Sequence, residues 1–103
     1  MPDSRQARAA LVTRILESDG RASRADRRAA FDNAGLDAPV STLIDKVAQS
    51  ADTITDADFA AAKAAGLDED QIFELVVCAA VGEASRQYAS ALAALTRVTQ
   101  TKE

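Results

Sequence analysis

Carboxylates and arginines carry most of the chemistry open to this chain, because it contains no histidine and a single cysteine. Without histidine there is no side chain of the usual kind for proton transfer near neutral pH, and no Ser–His or Cys–His nucleophile pair. Most zinc and iron sites also need histidine or several cysteines. Cys78 alone can form neither an intrachain disulfide nor a two-thiol redox centre. With only four, widely separated glycines there is no phosphate-binding loop, so no cofactor is expected.

Three residues of the second half are the candidates for catalysis: Glu74, Glu83 and Arg86. Glu74 interrupts an apolar run, where an unpaired charge is costly to bury. It is expected either to pair with an arginine of the N-terminal helices or to serve as a proton relay or pocket carboxylate. Glu83 and Arg86 are three residues apart and can pair on one helical turn. They form either a solvated surface pair or an acid–base group beside an arginine that holds an anionic substrate.

Acidic residues also cluster at predicted helix starts, but their spacing does not match a calcium-binding loop. Helix capping and favourable interaction with the helix dipole explain them better, and no metal site is predicted. The cluster consists of Asp52, Asp56, Asp58, Asp68, Glu69 and Asp70.

Helical periodicity and capping residues predict an all-α fold of about five helices, with no strand-like alternation. Ser23, Thr55 and Asp68 are predicted N-caps, and the second of these lies three residues before Asp58 as in a capping box. Gly35 is predicted to end the second helix, and Asp37 to cap the third. The predicted helices lie within residues 2–20, 23–35, 36–51, 55–66 and 69–98.

The last predicted helix is long and changes character at Gly82. From Ile72 to Val81 apolar side chains point in nearly every direction, which predicts a helix buried on all sides. Beyond Gly82 the pattern is amphipathic, and the glycine is expected to weaken, bend or break the helix. In the second helix, Ala25, Ala29 and Phe31 are predicted to face inward, and Arg21, Arg24 and Arg28 outward.

Composition indicates a single domain, residues 1–103, whose core is rich in small side chains. The chain contains 24 alanines, three phenylalanines and no tryptophan. Because an alanine methyl contributes little on burial, we expect association between subunits to complete the core. The partner predicted in this way is another copy of the chain.

Charge is unevenly distributed along the chain. Residues 1–30 contain seven arginines and four acids, whereas residues 31–103 carry a net charge of −7. The basic N-terminal part, residues 1–35, is expected either to pair with the acidic remainder or to bind an acidic partner or nucleic acid through Arg21–Arg28. A pI of about 4.7 argues against nucleic acid. No membrane segment or secretory signal is predicted, and the single cysteine favours a cytoplasmic location.

Residues 54–95, "ITDADFAAAKAAGLDEDQIFELVVCAAVGEASRQYASALAAL", resemble the carboxymuconolactone decarboxylase and alkylhydroperoxidase D-like superfamily. The similar features are a helix that ends in "AAG", the acidic turn that follows Leu67, and Glu74-Leu75 near the start of a long apolar helix. The resemblance implies an all-α domain with a long central C-terminal helix, a helical hairpin over residues 54–98, and homo-oligomers such as trimers, hexamers or dimers.

The same resemblance implies that the usual reactions of the superfamily are lost. Its peroxidase branch uses Cys-x-x-Cys with a nearby histidine, and its decarboxylase branch relies on a histidine. Two alignments place either Glu83, Arg86 and Ser90 or Arg86, Ala89 and Ala93 at the peroxidase positions. Only Glu74 is retained, as the superfamily's relay or structural glutamate.

We therefore expect a small oligomeric protein without peroxidase or decarboxylase activity. Its role would be interaction, regulation or the binding of a small molecule. Two alternatives remain open. One is an enzyme that uses Glu74 or Glu83 as acid or base while Arg86 binds an anionic substrate, and the other is the acidic-partner or nucleic-acid role of the N-terminal arginines.

Overall fold

The computed structural model describes residues 4–100, and within them the fold is all-α. Five α-helices follow one another with short connections, and a single 3-10 turn, Ala51–Thr53, links the third helix to the fourth. The predicted all-α class and the long C-terminal helix are confirmed. The helices are α1 (Ser4–Glu17), α2 (Arg24–Asp32), α3 (Val40–Gln49), α4 (Asp56–Ala64) and α5 (Glu69–Gln100).

Side-chain caps start α2 and α5 as predicted, and at the start of α4 the Asp58 carboxylate accepts the backbone N–H of Thr55 at 2.8 Å. The Ser23 hydroxyl accepts the backbone N–H of Asp26 at 3.0 Å. At the start of α5, Asp68 and Gln71 exchange hydrogen bonds: each side chain accepts the other's backbone N–H, at 2.8 and 2.9 Å. These bonds satisfy N–H groups that have no partner inside the helix.

Hydrogen bonds from backbone N–H groups at the helix starts also lower the pKa of two carboxyl groups, those of Asp58 and Asp68. The backbone N–H of Thr55 is the main cause for Asp58, with Lys46 adding a salt bridge at 3.0 Å. For Asp68 the largest cause is the backbone N–H of Gln71, and the guanidinium of Arg21 contributes as well. Both carboxyl groups are thus held in their charged form, which is the form that caps a helix and favours the positive end of its dipole.

Two predicted helix ends differ from the structure. Helix α2 is closed by Asn33, whose φ of 53° puts it in the left-handed region, and not by Gly35. Asparagine tolerates this conformation, and its side-chain amide is held by a hydrogen bond to Asp45 at 3.0 Å. At the start of α3, Pro39 occupies the N-cap position and Asp37 supplies only its backbone carbonyl, which accepts the N–H of Ser41.

The core forms where α2 and α3 pack against the first half of α5. Leu43, Ile44, Leu75 and Cys78 are each 1% exposed and are the largest side chains that are fully buried. Alanines fill the remaining buried positions, among them Ala30, Ala62 and Ala79. The core is therefore small, as the alanine content predicted, and each of its few large side chains carries a large share of the hydrophobic stabilisation.

Gly82 lies in the middle of α5, and the helix continues through it without a break. The glycine is buried because the end of α2 lies directly against it. A Cβ atom at this position would lie 2.8 Å from the carbonyl carbon of Phe31 and would overlap the carbonyl oxygen. The prediction of a break is therefore wrong, and the missing side chain serves a close approach of two backbones.

The predicted burial of α5 on all sides is also wrong. Phe73 is 59% exposed, and Ala80 is exposed about two turns of helix further on. Beyond Arg86 nearly every residue of α5 is exposed, so that the described part of the molecule is 57 Å long and 21 Å across its narrowest dimension. Neighbouring helices cover only one side of α5, because α1 to α4 are too short and too few to surround it. None of the helices between residues 4 and 100 has the length and apolar character needed to cross a membrane.

Candidate functional site

A cleft of about 540 Å³ lies between the end of α1, the turn that joins α1 to α2, and the first turns of α5. It brings together arginines, a carboxylate, a thiol and apolar side chains from parts of the chain that are far apart in sequence. The residues that matter for its chemistry are Arg14, Ile15, Arg27, Phe73, Glu74, Val77 and Cys78.

Arg27 forms part of the cleft wall and is only 4% exposed. Its Nη1 donates to the backbone carbonyl of Ile15 at 3.0 Å, in the last turn of α1. A cation at this end of a helix is favoured by the helix dipole. The Nε of Arg27 is buried and has no hydrogen-bond partner within the described part of the chain, which is unusual for a buried donor.

Glu74, on α5, also lines the cleft and binds backbone, not an arginine side chain. Its two carboxylate oxygens accept the N–H groups of Arg21 and Ala22, at 3.0 and 3.3 Å. A Cβ at Gly20 would overlap the carboxylate and would lie 3.7 Å from the guanidinium carbon of Arg27. The Glu74 carboxylate and the Arg27 guanidinium are therefore close neighbours across Gly20, although no ion pair within 4 Å joins them in residues 4–100.

Of these two neighbouring charged groups, Glu74 was predicted as a candidate site residue and Arg27 was not. The expected pairing of Glu74 with an N-terminal arginine is replaced by hydrogen bonds to the α1–α2 turn, with Arg27 as a charged neighbour. On α2, Ala25 is exposed, and the buried side chains are those of Arg27 and Ala30. Arg27 lies three residues before the buried Ala30, and this spacing was the one sequence signal that the two share a side of α2. Because Arg24 and Arg28 on the same helix are exposed, the residue type alone did not indicate that Arg27 is buried.

Cys78 lies one turn after Glu74 on α5 and is 1% exposed. Its thiol is 3.8 Å from the carbonyl oxygen of Ile15, the same oxygen that Arg27 binds. Burial raises the pKa of the Cys78 thiol, and the neighbouring charge of Arg27 offsets this only in part. The thiol is therefore protonated at neutral pH and is a poor nucleophile.

We expect the folded protein to resist thiol reagents. At pH 7, Cys78 should react with a disulfide reagent such as 5,5′-dithiobis(2-nitrobenzoate) at least about 100-fold more slowly than in 6 M urea, because it is buried and un-ionised. The same preparation should not reduce cumene hydroperoxide with a dithiol reductant. Rapid labelling of the folded protein, or turnover that disappears in Cys78→Ser, would contradict this expectation.

Glu83 and Arg86 are brought together as predicted, at a place separate from the cleft. Arg86 Nη2 donates to Glu83 Oε1 at 3.3 Å, and Nη1 donates to the carbonyl oxygen of Phe31 at 2.6 Å. Arg86 thus binds the carbonyl end of α2. Twelve residues separate it from Glu74, or about 18 Å along α5, so Arg86 does not reach a small substrate bound at Glu74.

The exposed arginines of the α1–α2 turn and α2 are bound to acidic residues of the same chain. Arg21 pairs with Asp68 at 3.0 Å, and Arg28 pairs with Asp32 at 3.1 Å. Arg24 donates to the carbonyl oxygen of Glu17 at 2.9 Å and approaches the Asp19 carboxylate at 3.5 Å. This arrangement favours intramolecular pairing over a nucleic-acid surface, since each guanidinium already has an acceptor.

A second surface runs along α5 on the side opposite the core. Eight apolar residues recur every three or four positions and, at about 100° per residue, lie within a sector about 80° wide. Most of them are exposed; Tyr88, for example, is 39% exposed beneath the guanidinium of Arg8, and Leu95 is 61% exposed. We call this surface the α5 stripe: Phe73, Val77, Ala80, Ala84, Tyr88, Ala91, Leu95 and Val98.

A second hollow, of about 590 Å³, lies between the α2–α3 connection and α3. Its lining mixes polar side chains with Leu36 and Ile44, and its Lys46 is already bound to Asp58. Within residues 4–100 no group of three or more histidine, cysteine, aspartate or glutamate side chains is placed to hold a metal ion. The hollow therefore offers less distinctive chemistry than the cleft.

Comparison of the chain with protein-family models, curated proteins and solved structures gives no match.

Proposed function

We propose that this protein is a non-catalytic, self-associating helical protein in which the α5 stripe of one copy packs against the α5 stripe of another. The observation that carries the proposal is the row of apolar side chains, seven of the eight exposed, on the side of α5 that faces away from the core. An amphipathic face of this kind is normally covered by another element. We further propose that the chain is a diverged member of the superfamily that residues 54–95 resemble.

The length and spacing of the α5 stripe fit a helix-to-helix interface. It spans 25 residues from Phe73 to Val98, which corresponds to about 37 Å of helix. Its intervals of three and four residues alternate except for two successive intervals of four at Ala80, Ala84 and Tyr88, and such spacing lets two helices interlock side chains over a long distance. Ala80, Ala84 and Ala91 allow a close approach on either side of Tyr88, and the larger side chains at the ends of the stripe supply apolar area.

An antiparallel arrangement of the two copies suits both the spacing and the charges. Counted from either end, the positions of the stripe residues differ by no more than one residue, so a two-fold axis near residues 85–86 places Phe73 opposite Val98 and Ala80 opposite Ala91. The first turn of α5 is acidic, with Glu69 and Asp70, and its last turn carries Arg97. Antiparallel pairing brings these opposite charges near one another and opposes the two helix dipoles. These features favour a second copy as the partner.

The chemistry of the cleft supports a binding role over the reactions of the superfamily. The only thiol is buried and protonated, and the chain has no histidine to activate it. Glu74, the position that the resemblance retains, holds the α1–α2 turn through two backbone N–H groups. Glu74 thus has a structural role in this chain, which fits a protein that keeps the helical framework without the reaction.

Self-association is tested by measuring mass in solution by size-exclusion chromatography with light scattering, over about 1–200 μM. We expect a mass that is an even multiple of 10.8 kDa. The variant Leu95→Glu buries a charge at the proposed interface, which should cost about 3 kcal/mol or more and weaken association at least about 100-fold.

Ala93→Glu is the matched control, because it adds the same charge to the same exposed end of α5 on the side away from the stripe. It should associate like the unmodified protein. A monomer at every concentration would overturn the proposal, and so would equal effects of Leu95→Glu and Ala93→Glu.

A further inference from the structure

We propose that the cleft between the end of α1, the α1–α2 turn and the start of α5 binds a small organic carboxylate with an apolar body. In this proposal the guanidinium groups of Arg27 and Arg14 receive the carboxylate, and Ile15, Phe73 and Val77 contact the apolar part. All of these residues belong to one copy of the chain, and because Phe73 and Val77 also belong to the α5 stripe, the ligand would lie at the edge of the interface proposed above.

Arg27 supplies the main reason to expect a ligand. A guanidinium has five N–H donors, yet Arg27 has only the Ile15 carbonyl as an acceptor within residues 4–100, and its Nε is buried without one. Arg27 is only 4% exposed, and it forms part of the cleft wall. An anion with two coplanar oxygens matches such a group best, because a carboxylate can accept two parallel N–H bonds from it.

The acidic residues that line the cleft have hydrogen-bond or ion-pair partners other than Arg14 and Arg27. Glu74 accepts two backbone N–H groups, Asp70 lies 3.8 Å from Arg21, and Asp19 lies 3.5 Å from Arg24. In the described part of the chain, Arg14 has no carboxylate within 4 Å. Arg14 and Arg27 therefore remain as the two guanidinium groups of the cleft without a direct ion pair.

The rest of the lining determines what else the ligand must be. Apart from its charged groups, the cleft is walled by Ile15, Phe73 and Val77, and the protonated thiol of Cys78 lies beside them. A volume of about 540 Å³ is typical of a site for a small molecule. A fully hydrated anion such as inorganic phosphate would leave this apolar wall unused, whereas a carboxylate on an aromatic ring or a short alkyl chain would cover it.

The proposal is tested by titrating the ¹⁵N-labelled protein with benzoate and with benzamide, which has the same shape without the charge. We expect benzoate to shift the amide signals of Gly20, Ala22 and Cys78 in a saturable way, with benzamide at least about 10-fold weaker, the usual scale of one charge-assisted hydrogen bond. Hexanoate and hexanamide repeat the comparison with an alkyl body. Equal affinities within both pairs, shifts confined to other residues, or no saturable shift would each overturn the proposal.

Two variants and one control identify the groups that hold the carboxylate. Arg14 is exposed, so Arg14→Gln should fold normally and bind benzoate about 10-fold more weakly. Arg27→Lys keeps the charge but loses the planar fork, and it should weaken benzoate binding by at least a similar factor. Arg28→Gln, on the outer side of α2, should bind like the unmodified protein. Unchanged affinity in Arg14→Gln would refute the assignment whether or not the Arg27 variant folds.

Discussion

Replacing Gly82 with alanine should destabilise the protein by about 3 kcal/mol, although alanine is the better helix former by about 1 kcal/mol. The added methyl would overlap the carbonyl oxygen of Phe31 and lie 2.8 Å from its carbonyl carbon. Because the obstacle is backbone, it cannot rotate away as a flexible side chain would. Helix α2 would have to separate from α5, and the contacts around Ala30 and Ala79 would be lost with it.

The measurement is urea unfolding followed by circular dichroism, with Ala89→Gly as the matched control. Ala89 lies on the exposed half of the same helix, where glycine should cost about 1 kcal/mol through propensity alone. The two positions should therefore have opposite preferences, glycine at 82 and alanine at 89. Equal or greater stability of Gly82→Ala would show that α2 and α5 are not in backbone contact.

Replacing Glu74 with alanine should cost about 3 kcal/mol, the second large effect. The carboxylate binds the N–H groups of Arg21 and Ala22, and each charge-assisted bond contributes about 1.5–3 kcal/mol. Its loss also removes the negative neighbour of the buried Arg27 guanidinium, and a buried charge without compensation is strongly unfavourable. Glu74→Gln keeps the size and one acceptor oxygen, so it should lose about half as much.

Glu83→Ala serves as the control for Glu74→Ala, because both remove a glutamate from α5. Glu83 binds only the partly exposed Arg86 and the side chain of Gln87, and such pairs contribute at most about 1 kcal/mol. Similar losses at the two positions in thermal and urea unfolding would contradict the special role of Glu74. Should Glu74→Ala fail to fold, the comparison of Glu74→Gln with Glu83→Gln decides the question.

Three arginines join the helices in a common way, by donating to the carbonyl groups at the end of another helix. Arg24 binds the carbonyl oxygen of Glu17, Arg27 binds that of Ile15, and Arg86 binds that of Phe31. Carbonyl groups in a last helical turn lack partners within the helix and carry partial negative charge. In a core with so few large side chains, these contacts supply orientation that apolar packing alone would leave poorly defined.

The sequence by itself determined the helices, most of their starts and the small size of the core. Ser23 with Asp26 and Asp68 with Gln71 are local signals, since each hydrogen bond joins residues three apart. The absence of histidine and the single cysteine likewise limited the available chemistry without any knowledge of the fold. Local spacing and composition are properties of the chain, so they could be predicted from it.

Only the tertiary structure decided which arginine is buried, why α5 contains a glycine, and which side of α5 remains uncovered. Glu74 binds residues more than 50 positions earlier in the chain, and Arg86 binds Phe31 across 55 positions. Arg27 differs from Arg24 and Arg28 only in the direction it faces once α2 is packed. Burial depends on which segments meet in space, and the periodicity of a single helix carries no information about the partner that will cover it.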